Sequence, residues 1–351
     1  MTILTHVSQL NSSWLTNILK STDNPITHFE ITHSSTTNVS TVYHLRVHYE
    51  TTDISLPEHL FLKLVKVAHP EFFGKELTFY REIAPHVRAT HPEFNALRCY
   101  GAEYDAHIGH AFLLFEDISN THFGIDESRP TLEHYRQVIE GFAMLHATWW
   151  QDPRLSVDLG EEYTENWLNT AIRRAQTNYA GLLSENHDHL DESWRSALSQ
   201  LIVKWPSRRW ENMLSGENMT IVHRDPHRHN FLYPRDNSLD HRSIIIDWDA
   251  WRVDHGTVDL AYMMGFHWMM EQRVEQEMGL LQHYHRCLEQ YGIEGYSWEE
   301  CLQDYRISIV RCLVFMLGAW RPGRSHEDIW WKIVDQGVIT YHDLRCNEII
   351  I

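Results

Sequence analysis

The first third of the chain has the alternation of apolar and polar residues that is typical of β-strands. Within residues 29–67, the segment 43–49 alternates between the two classes, as expected for a half-buried strand. The segment 60–65 is an almost continuous apolar run, which indicates a central strand. Two more runs, at 97–104 and 111–115, predict further strands. We therefore expect a small sheet in this part of the chain.

Helical spacing interrupts these strands once and then dominates the rest of the sequence. Between Pro70 and Pro85, one helix is predicted by residues that share a face at intervals of four, three and four: Phe72, Glu76, Phe79 and Ile83. From Thr131 onward the chain is mainly helical, starting with a long core helix whose apolar stripe has the same spacing: Val138, Phe142, Leu145 and Trp149. Four more helices are predicted towards the C-terminus, at 256–270, 273–291, 297–319 and 326–344.

Two charged residues interrupt these apolar patterns. Lys63 lies in the middle of the apolar strand, and Glu76 lies on the apolar face of the first helix. A buried charge is costly unless an opposite charge meets it. A pair between Lys63 and Glu76 would remove both costs at once. The alternatives are that Lys66 or Lys75 makes the contact, or that Glu76 lies at the edge of solvent.

Length, charge and cysteine content narrow the classes of function. A chain of 351 residues suffices for two units of ordinary domain size. The net charge of −18 disfavours nucleic acid and anionic membranes as partners, because an acidic surface repels phosphate. We see no secretory signal and no apolar run long enough for a membrane span. The five dispersed cysteines indicate reduced thiols in a cytoplasmic protein. Nothing in the pattern predicts an oligomeric state.

The most specific pattern is H-R-D-x-x-x-x-N at residues 223–230, with Asp225 and Asn230 at its two chemical positions. In this pattern the aspartate faces the acceptor hydroxyl and the asparagine holds a magnesium ion. Another acid, Asp247, directly follows the β-branched run 244–246, so its carboxylate is expected at the end of a buried strand. A base and two metal ligands are what transfer of a nucleotide's γ-phosphoryl group needs. The motifs therefore predict a kinase.

Both motifs resemble those of the aminoglycoside phosphotransferase and choline kinase group, usually written H-G-D-x-x-x-x-N and I-D-W/F. Two more segments are similar to motifs of that group: 256–261, like G-x-x-x-D-L-A, and 145–149, like L-H-A-x-W. The resemblance runs from about Phe29 to the C-terminus and is greatest to the bacterial branch near the ecdysteroid-kinase-like proteins. One departure is Arg224, which stands where the group has glycine.

The resemblance implies an α+β fold of the protein-kinase-like, bilobal class. A small N-terminal lobe with an antiparallel sheet would span 1–116, and a larger, mainly helical C-terminal lobe would span 117–351. The resemblance also implies ATP or GTP as phosphoryl donor, Mg²⁺ as cofactor, and a hydroxyl-bearing small molecule as acceptor, either a metabolite or an antibiotic-like compound. Asp225 would act as the base, and Asn230 and Asp247 would bind the metal ion.

The nucleotide site implied by this resemblance includes the two charges that interrupt the apolar patterns. Lys63 would contact the phosphates of the nucleotide while Glu76 holds it in place. Residues 33–40 stand where a kinase has its phosphate-covering loop, although this segment contains no glycine. Ser35 and Thr36 would then offer small hydroxyl groups and backbone N–H groups to the phosphates.

The resemblance also implies further residues that bind the nucleotide, the metal ion or the acceptor. Glu116 and Ile118 belong to a segment similar to the L-E-D-L that joins the two lobes, where backbone groups would bind the adenine edge. Asp249 would be a further metal ligand or would bind a cationic group of the substrate. Arg224 is expected to be structural or to face the substrate. Trp268 is one of the C-terminal tryptophans expected near the acceptor.

Two further residues have structural interpretations. Asp259 is expected to hold the 223–230 loop by accepting hydrogen bonds from backbone or arginine groups. His146 lies beside the apolar stripe of the long core helix and is expected to be a buried, hydrogen-bonding histidine. Neither residue is expected to take part in the chemistry.

Two alternatives to an active kinase remain open from the sequence. His223 and Asp225 also form H-x-D, which together with His255 or His267 would give the facial triad of a non-haem iron oxygenase. That interpretation leaves Asn230 unexplained. The other alternative is a binding module that has the kinase fold but no catalytic activity.

Overall fold

The protein is described from a computed structural model, which covers residues 3–36, 40–52, 55–66, 70–105, 107–157, 165–185, 190, 192–204, 217–236, 241–320 and 327–349. The chain forms two compact units. Unit 1 comprises Met1–Pro130 and Phe231–Ala250, and unit 2 comprises Thr131–Asn230 and Trp251–Ile351. These units differ from the predicted lobes at 1–116 and 117–351, chiefly because a later segment of the chain belongs to unit 1.

The main sheet of unit 1 has five antiparallel strands. In chain order they are β1 (Ile26–Thr36), β2 (Ser40–Tyr49), β3 (His59–Lys66), β4 (Cys99–Asp105) and β5 (His110–Glu116). Their order across the sheet is β1-β2-β3-β5-β4, with β3 in the centre. The strands predicted in this part of the chain are therefore confirmed.

The expected loop at 33–40 is largely wrong, because strand pairing continues through most of it. Pairs between β1 and β2 extend to Thr36 opposite Thr41, and the hydroxyl groups of these two residues lie 3.2 Å apart. Threonine favours extended backbone, which accounts for the longer strands. Only residues 37–39 remain between the strands, and they lie outside the described part of the chain.

A short helix, α1 (Ser12–Leu19), and one face of the sheet form the core of unit 1. Trp14 of this helix meets Phe112 edge-on, with ring centroids 5.1 Å apart. Leu62 of β3 is fully buried in the same core. Because neighbouring residues of a strand point to opposite faces, Lys63 lies on the other face of the sheet. The core thus fixes the strand that carries this lysine.

The predicted helix at 70–85 is formed, but it does not end at Pro85. It consists of α2 (Pro70–Thr78), a π-helix (Phe79–Ile83) and α3 (Ala84–Thr90). Pro85 lies in the first turn of α3, where its missing N–H costs little. The π-helix before the proline lets the helical chain continue.

A second, three-stranded sheet explains why residues 231–250 belong to unit 1. It contains β6 (His122–Phe123), β8 (Phe231–Pro234) and β9 (Ile244–Ile245), in the order β6-β8-β9. The side-chain amide of Asn95 also donates to the carbonyl of Ser243 over 2.7 Å. These contacts hold the later segment to the earlier one.

Unit 2 is mainly helical, as predicted. Its helices are α4 (Leu132–Thr148), α5 (Arg154–Val157), α6 (Glu165–Glu185), α7 (Glu192–Lys204), α8 (Thr257–Leu260), α9 (Met270–Gln290), α10 (Trp298–Ala319) and α11 (Glu327–Asp343). Strands β7 (Met219–Val222) and β10 (Arg252–His255) pair antiparallel. The predicted helix at 256–270 is shorter than expected: α8 is followed by a π-helix at Ala261–Phe266. The three later helices agree with prediction to within a few residues.

Two expectations about the class of protein can be compared with the structure. All five cysteines are free, at positions 99, 287, 301, 312 and 346. In the part of the chain that the structure describes, no helix has the length and apolar character needed to cross a membrane.

Candidate active site

The predicted pair between Lys63 and Glu76 is formed in unit 1. The ammonium Nζ of Lys63 lies 2.8 Å from one carboxylate oxygen of Glu76 and 3.1 Å from the other. Glu76 is buried, with 2% of its surface exposed. Each charge therefore has the partner that its apolar surroundings require. Of the alternatives, the side chain of Lys66 lies outside the described residues.

Lys63 also lies close to a second carboxylate. Its Nζ atom is 3.6 Å from Oδ1 of Asp247, which is 44% exposed at the side chain. Burial disfavours the charged ammonium, but the carboxylates of Glu76, Asp247 and Asp249 outweigh it and raise the pKa of Lys63 above its ordinary value. Burial raises the pKa of Glu76, and Lys63 opposes that shift. The carboxylate charge in this cluster exceeds the charge of its lysine.

Asp247 is held in an unusual backbone conformation directly after β9. Its φ angle is 65°, in the left-handed region that residues other than glycine seldom adopt. The next residue, Trp248, is fully buried, and its indole N–H donates to the carbonyl of Ile245 over 3.0 Å. This bond closes a tight turn around Asp247. The turn, rather than strand geometry alone, determines where the carboxylate lies.

The other residues that are expected to bind nucleotide also lie in unit 1, but they belong to different structural elements. Ser35 and Thr36 are exposed at the end of β1, and Glu116 is the last residue of β5. The carbonyl of Ile118 accepts hydrogen bonds from the backbone N–H groups of Thr121 and the residue after it, at 3.0 and 2.9 Å. That carbonyl is therefore occupied in a turn. Contacts of these residues with a nucleotide remain a prediction.

In unit 2, the 223–230 loop is held by hydrogen bonds of its own. It follows β7 and ends in a 3-10 helix at Arg228–Asn230. The carbonyl of Asp225 accepts the backbone N–H of His227 over 2.8 Å and the side-chain amide of Asn230 over 2.9 Å. Because the amide nitrogen of Asn230 makes this bond, its side-chain oxygen is left as a metal-ligand candidate.

Asp259 holds the start of this loop, as predicted. Its carboxylate accepts the backbone N–H of His223 over 2.6 Å and that of Arg224 over 2.8 Å. His146 lies 3.3 Å from the same carboxylate and 2.8 Å from the hydroxyl of Tyr284. His146, Asp259 and Tyr284 are all buried, so the prediction of a buried, hydrogen-bonding His146 is confirmed.

The structure gives a reason for the glycine that the resembling group has at position 224. Arg224 has a φ angle of 78°, a conformation that glycine adopts freely and that costs other residues about 1–2 kcal/mol. Its guanidinium lies over the ring of Phe315, 3.9 Å from the ring centre.

Trp268, expected near the acceptor, is 4% exposed and packs on Tyr135 with ring centroids 4.6 Å apart.

The facial triad of an iron oxygenase is not formed. Among the described residues, no three histidine, cysteine, aspartate or glutamate side chains are placed so that they could hold a metal ion. His223 is fully buried, and its Nδ1 atom accepts the backbone N–H of Asp225 over 3.3 Å. Its position explains the histidine of the H-R-D pattern as a structural residue.

Two neighbours of Asp225 were missed in the sequence. Burial and, after it, the negative charge of Asp225 raise the pKa of Tyr262 above its ordinary value, and Nε2 of His227 lies 3.7 Å from the Oδ2 atom of Asp225. The spacing of Tyr262, three residues after Asp259, was the available signal, because residues at that interval on a helix share a face.

Solved structures with the same fold include several phosphotransferases. One is a spectinomycin phosphotransferase in complex with ADP and spectinomycin, 12% identical, with a TM-score of 0.54 over 96% of this chain and 99% of the other. An amicoumacin kinase in complex with AMP-PNP and Ca²⁺ is 13% identical, with a TM-score of 0.51 over 96% and 94%. A choline kinase from Cryptosporidium parvum is 11% identical, with a TM-score of 0.51 over 97% and 91%.

These likenesses confirm the predicted α+β, protein-kinase-like fold class. A search of curated proteins gives no match. The sequence model of the ecdysteroid kinase-like family matches residues 38–293, which include the Lys63–Glu76 pair, the 223–230 loop and Asp247. Since that match spans most of the chain, the protein belongs to the ecdysteroid kinase-like family.

Proposed function

We propose that this protein is a kinase that transfers the γ-phosphoryl group of ATP or GTP to a hydroxyl group of a small molecule, with Mg²⁺ as cofactor. The observation that supports it most is the Lys63 ammonium lying between two carboxylates, those of Glu76 and Asp247. A structural ion pair needs only one carboxylate. The second, partly exposed one is then available for a metal ion, which prefers such hard oxygen ligands.

On the nucleotide side, Lys63 would bind the phosphates and Glu76 would keep the ammonium in place. Asp247 and Asn230 would each give an oxygen ligand to Mg²⁺. The bound ion would neutralise part of the phosphate charge. Ser35, Thr36, Glu116 and Ile118 complete the proposed nucleotide contacts, through hydroxyl or backbone groups.

On the acceptor side, Asp225 would accept a hydrogen bond from the acceptor hydroxyl and orient its oxygen towards the γ-phosphorus. The bond from that oxygen to phosphorus forms as the bond to the leaving nucleotide oxygen breaks. Because this transition state is loose, the hydroxyl proton passes to Asp225 late. Most of the rate enhancement then comes from positioning and from neutralising charge. Asp249, Arg224 and Trp268 remain proposed acceptor or metal contacts.

The acceptor class follows from the chemistry of the family rather than from a bound molecule. Spectinomycin is bound in one of the structures with this fold, and two others are an amicoumacin kinase and a choline kinase. We propose a hydroxyl-bearing metabolite or an antibiotic-like compound for this protein. The net charge of −18 argues against nucleic acid as a partner. The free cysteines fit a reducing compartment, and we propose the cytoplasm.

A two-step experiment tests the proposal. First, thermal unfolding is measured with ATP or GTP, with and without Mg²⁺, and stabilisation that requires both is expected. Second, release of ADP or GDP is screened against hydroxylated metabolites and antibiotics. Stabilisation without turnover on any acceptor would indicate an inactive binding module. No stabilisation by either nucleotide would overturn the proposal.

Asp225→Asn then tests the assigned base. It should keep Mg²⁺-dependent nucleotide binding and lower turnover by about 10²–10⁴-fold, the usual loss when a general base is removed. Asp328→Asn is the matched control, since it makes the same chemical change at an exposed position of α11. Near-normal turnover of Asp225→Asn would remove Asp225 from the role of base.

A further inference from the structure

We propose that Arg224 binds an anionic group of the acceptor, so that the acceptor carries a carboxylate in addition to the hydroxyl that is phosphorylated. This inference rests on the proposed function, because it takes Asp225, the next residue, as the base. It goes further by assigning a charge to the acceptor. The phosphoryl transfer is the one proposed above, and the carboxylate of the acceptor serves only for binding.

The guanidinium of Arg224 has an aromatic neighbour but no ion pair. It lies over the ring of Phe315 on α10, 3.9 Å from the ring centre, and no carboxylate in the described part of the chain pairs with it. Its Nε atom is buried and has no hydrogen-bond partner among the described residues. Arg273, by contrast, meets the carboxylate of Glu277 over 2.9 Å. Because the fork of N–H donors in arginine fits a carboxylate, the donors of Arg224 are available for a ligand.

The backbone holds Arg224 in place in a conformation that is unfavourable for arginine. Its φ angle of 78° lies in the left-handed region. Its N–H donates to the buried carboxylate of Asp259 over 2.8 Å, and the N–H of His223 donates to the same carboxylate over 2.6 Å. Such strained residues are concentrated at binding and active sites, where the surroundings enforce them. Glycine would avoid the strain, so the presence of arginine favours a role for its side chain.

The charges of Arg224 and Asp225 lie close to each other in unit 2. The two residues are consecutive, so their Cα atoms are about 3.8 Å apart. Both charges also act on one phenol: burial raises the pKa of Tyr262, Asp225 raises it further, and Arg224 opposes the rise. Arg224 and Asp225 are each partly exposed, and Phe315 is 46% exposed. A small molecule can therefore reach the carboxylate and the guanidinium together.

The charge of the 223–230 loop also favours an anion. The loop contains two arginines, Arg224 and Arg228, and one acid, Asp225, although the net charge of the chain is −18. A local positive charge attracts an anion to this loop, while the acidic surface elsewhere repels it. A cationic group at the same place would be repelled by Arg224. The phosphates of the nucleotide are the other source of negative charge, and the experiment has to separate them from the acceptor.

Paired acceptors that differ in charge test the inference. Nucleotide consumption is measured with lactate and lactamide, gluconate and gluconamide, and mandelate and mandelamide, and any further hydroxy acid found in the screen is paired with its amide. Acid and amide have similar shapes, so the ratio of their kcat/KM values reports the charge. The wild type should favour the acid by about 10- to 100-fold, in line with a hydrogen bond between charged groups. Arg224→Gln should bring the ratio close to one, and any damage to the neighbouring base cancels in that ratio.

A second variant and a control identify the contact. Phe315→Leu removes the ring on which the guanidinium lies, at a position exposed enough to spare the fold, and should lower the ratio part of the way. Arg228→Gln is the matched control, because it removes the same charge from an exposed position of the same loop. Its ratio should stay near that of the wild type. An equal fall in Arg228→Gln and Arg224→Gln would overturn the inference, because the general field of the loop would then account for the preference.

The remaining outcomes separate this inference from the proposed function. Turnover of neutral or cationic acceptors with no preference for acids would overturn the inference and leave the kinase in place. An acid preference that persists in Arg224→Gln would also overturn it. So would weaker binding of MgATP or MgGTP by Arg224→Gln at an unchanged ratio, because the guanidinium would then bind the nucleotide. Nucleotide binding without turnover of any acceptor would overturn both the inference and the proposed function.

Discussion

The ring of Phe79 stacks on the indole of Trp248, with ring centroids 3.8 Å apart and planes 6° from parallel. Both side chains are fully buried in unit 1. Phe79 begins the π-helix that follows the helix of Glu76, and Trp248 directly follows Asp247. The stack therefore connects the element that positions Lys63 to the element that carries the proposed metal ligand.

Shortening Trp248 should break this connection. Trp248→Ala is expected to lower the free energy of unfolding by about 3–5 kcal/mol, the usual cost of removing a buried aromatic ring. It should also abolish Mg²⁺-dependent nucleotide binding, because the turn that presents Asp247 loses its anchor. Trp248→Phe keeps a ring and should retain most of both properties. Denaturant unfolding and calorimetry measure the two effects. Full nucleotide affinity in a folded Trp248→Ala protein would contradict this role.

Lys63 and Glu76 should act together, so that their substitutions have effects that do not add. Lys63→Met should raise the KM for nucleotide and lower turnover, and Glu76→Gln should reproduce much of that defect. The double variant should be little worse than either single one, with a coupling free energy of about 1–3 kcal/mol. Turnover and nucleotide affinity of the three variants give that coupling. Simple addition of the two effects would contradict the pairing.

A control for this cycle lies beside Glu76. Lys75 precedes it in α2, and the sequence left open that Lys75 was the partner. The structure pairs Glu76 with Lys63 instead. Lys75→Met should therefore have little effect on the KM for nucleotide. A loss larger than that of Lys63→Met would assign the phosphate-binding lysine to Lys75.

Arg224 offers a test of backbone strain beside the proposed base. Because its φ angle is 78°, alanine at this position would keep the strain and lose the contact with Phe315. Glycine would relieve the strain at some cost in unfolded-chain entropy. Arg224→Gly should thus be more stable than Arg224→Ala by about 1 kcal/mol. Thermal unfolding of the two variants measures this difference.

At an ordinary helical position, the stability order of the glycine and alanine variants should be the opposite of that at position 224. Arg136 is exposed within α4, where glycine is less favourable than alanine by about 1 kcal/mol. Arg136→Gly should therefore be less stable than Arg136→Ala. If glycine were also the worse substitution at position 224, the left-handed conformation of Arg224 would be wrong.

His283 should make the stability of unit 2 depend on pH. Hydrogen bonds to Cys287 and Glu140 raise the pKa of His283 from 6.5 to about 9. A pKa raised in the folded state means that the charged imidazole stabilises the fold fully below about pH 6.5. This contribution is lost as the pH rises through 9. We expect a loss of about 1 kcal/mol, allowing for the partial exposure of the pair.

Glu140→Gln should remove part of this pH dependence, because the bond from Cys287 to His283 remains. The variant should be less stable than the wild type at pH 6, and the difference should shrink towards pH 10. Glu133→Gln is the control, because Glu133 is exposed on the same helix, where it pairs with Arg136. Melting temperatures between pH 6 and 10 test the prediction. A constant difference between wild type and Glu140→Gln across that range would contradict it.

Much of the local structure could be predicted because its causes are local. The strands and the last three helices follow from hydrophobic spacing, which a sequence shows directly. The Lys63–Glu76 pair was predictable for a related reason: each charge interrupts an apolar pattern, and neither is tolerable alone. Likewise, Asp259 was expected to bind the 223–230 loop, and its carboxylate does so.

What the sequence did not predict depends on contacts between distant segments or on single torsion angles. The pairing of His122 with Pro234 joins residues more than a hundred positions apart, so the membership of 231–250 in unit 1 has no local signal. Tyr262 lies in a π-helix, a type of element that residue propensities do not indicate. The left-handed backbone at position 224 does not follow from an arginine, and the glycine that the resembling group has there was the one available signal for it.

Residues 231–250 are synthesised long after the rest of unit 1, and this order affects how the protein folds. Synthesis runs from the N-terminus at about 5–20 residues per second, and domains generally fold as their residues emerge. Unit 1 cannot complete its second sheet, or cover Phe79 with Trp248, until Ala250 has left the ribosome. The nascent chain therefore carries an unfinished N-terminal unit while the whole first segment of unit 2, Thr131–Asn230, is being synthesised. That interval is when β6 lacks its partner strand and chaperones have an apolar surface to bind.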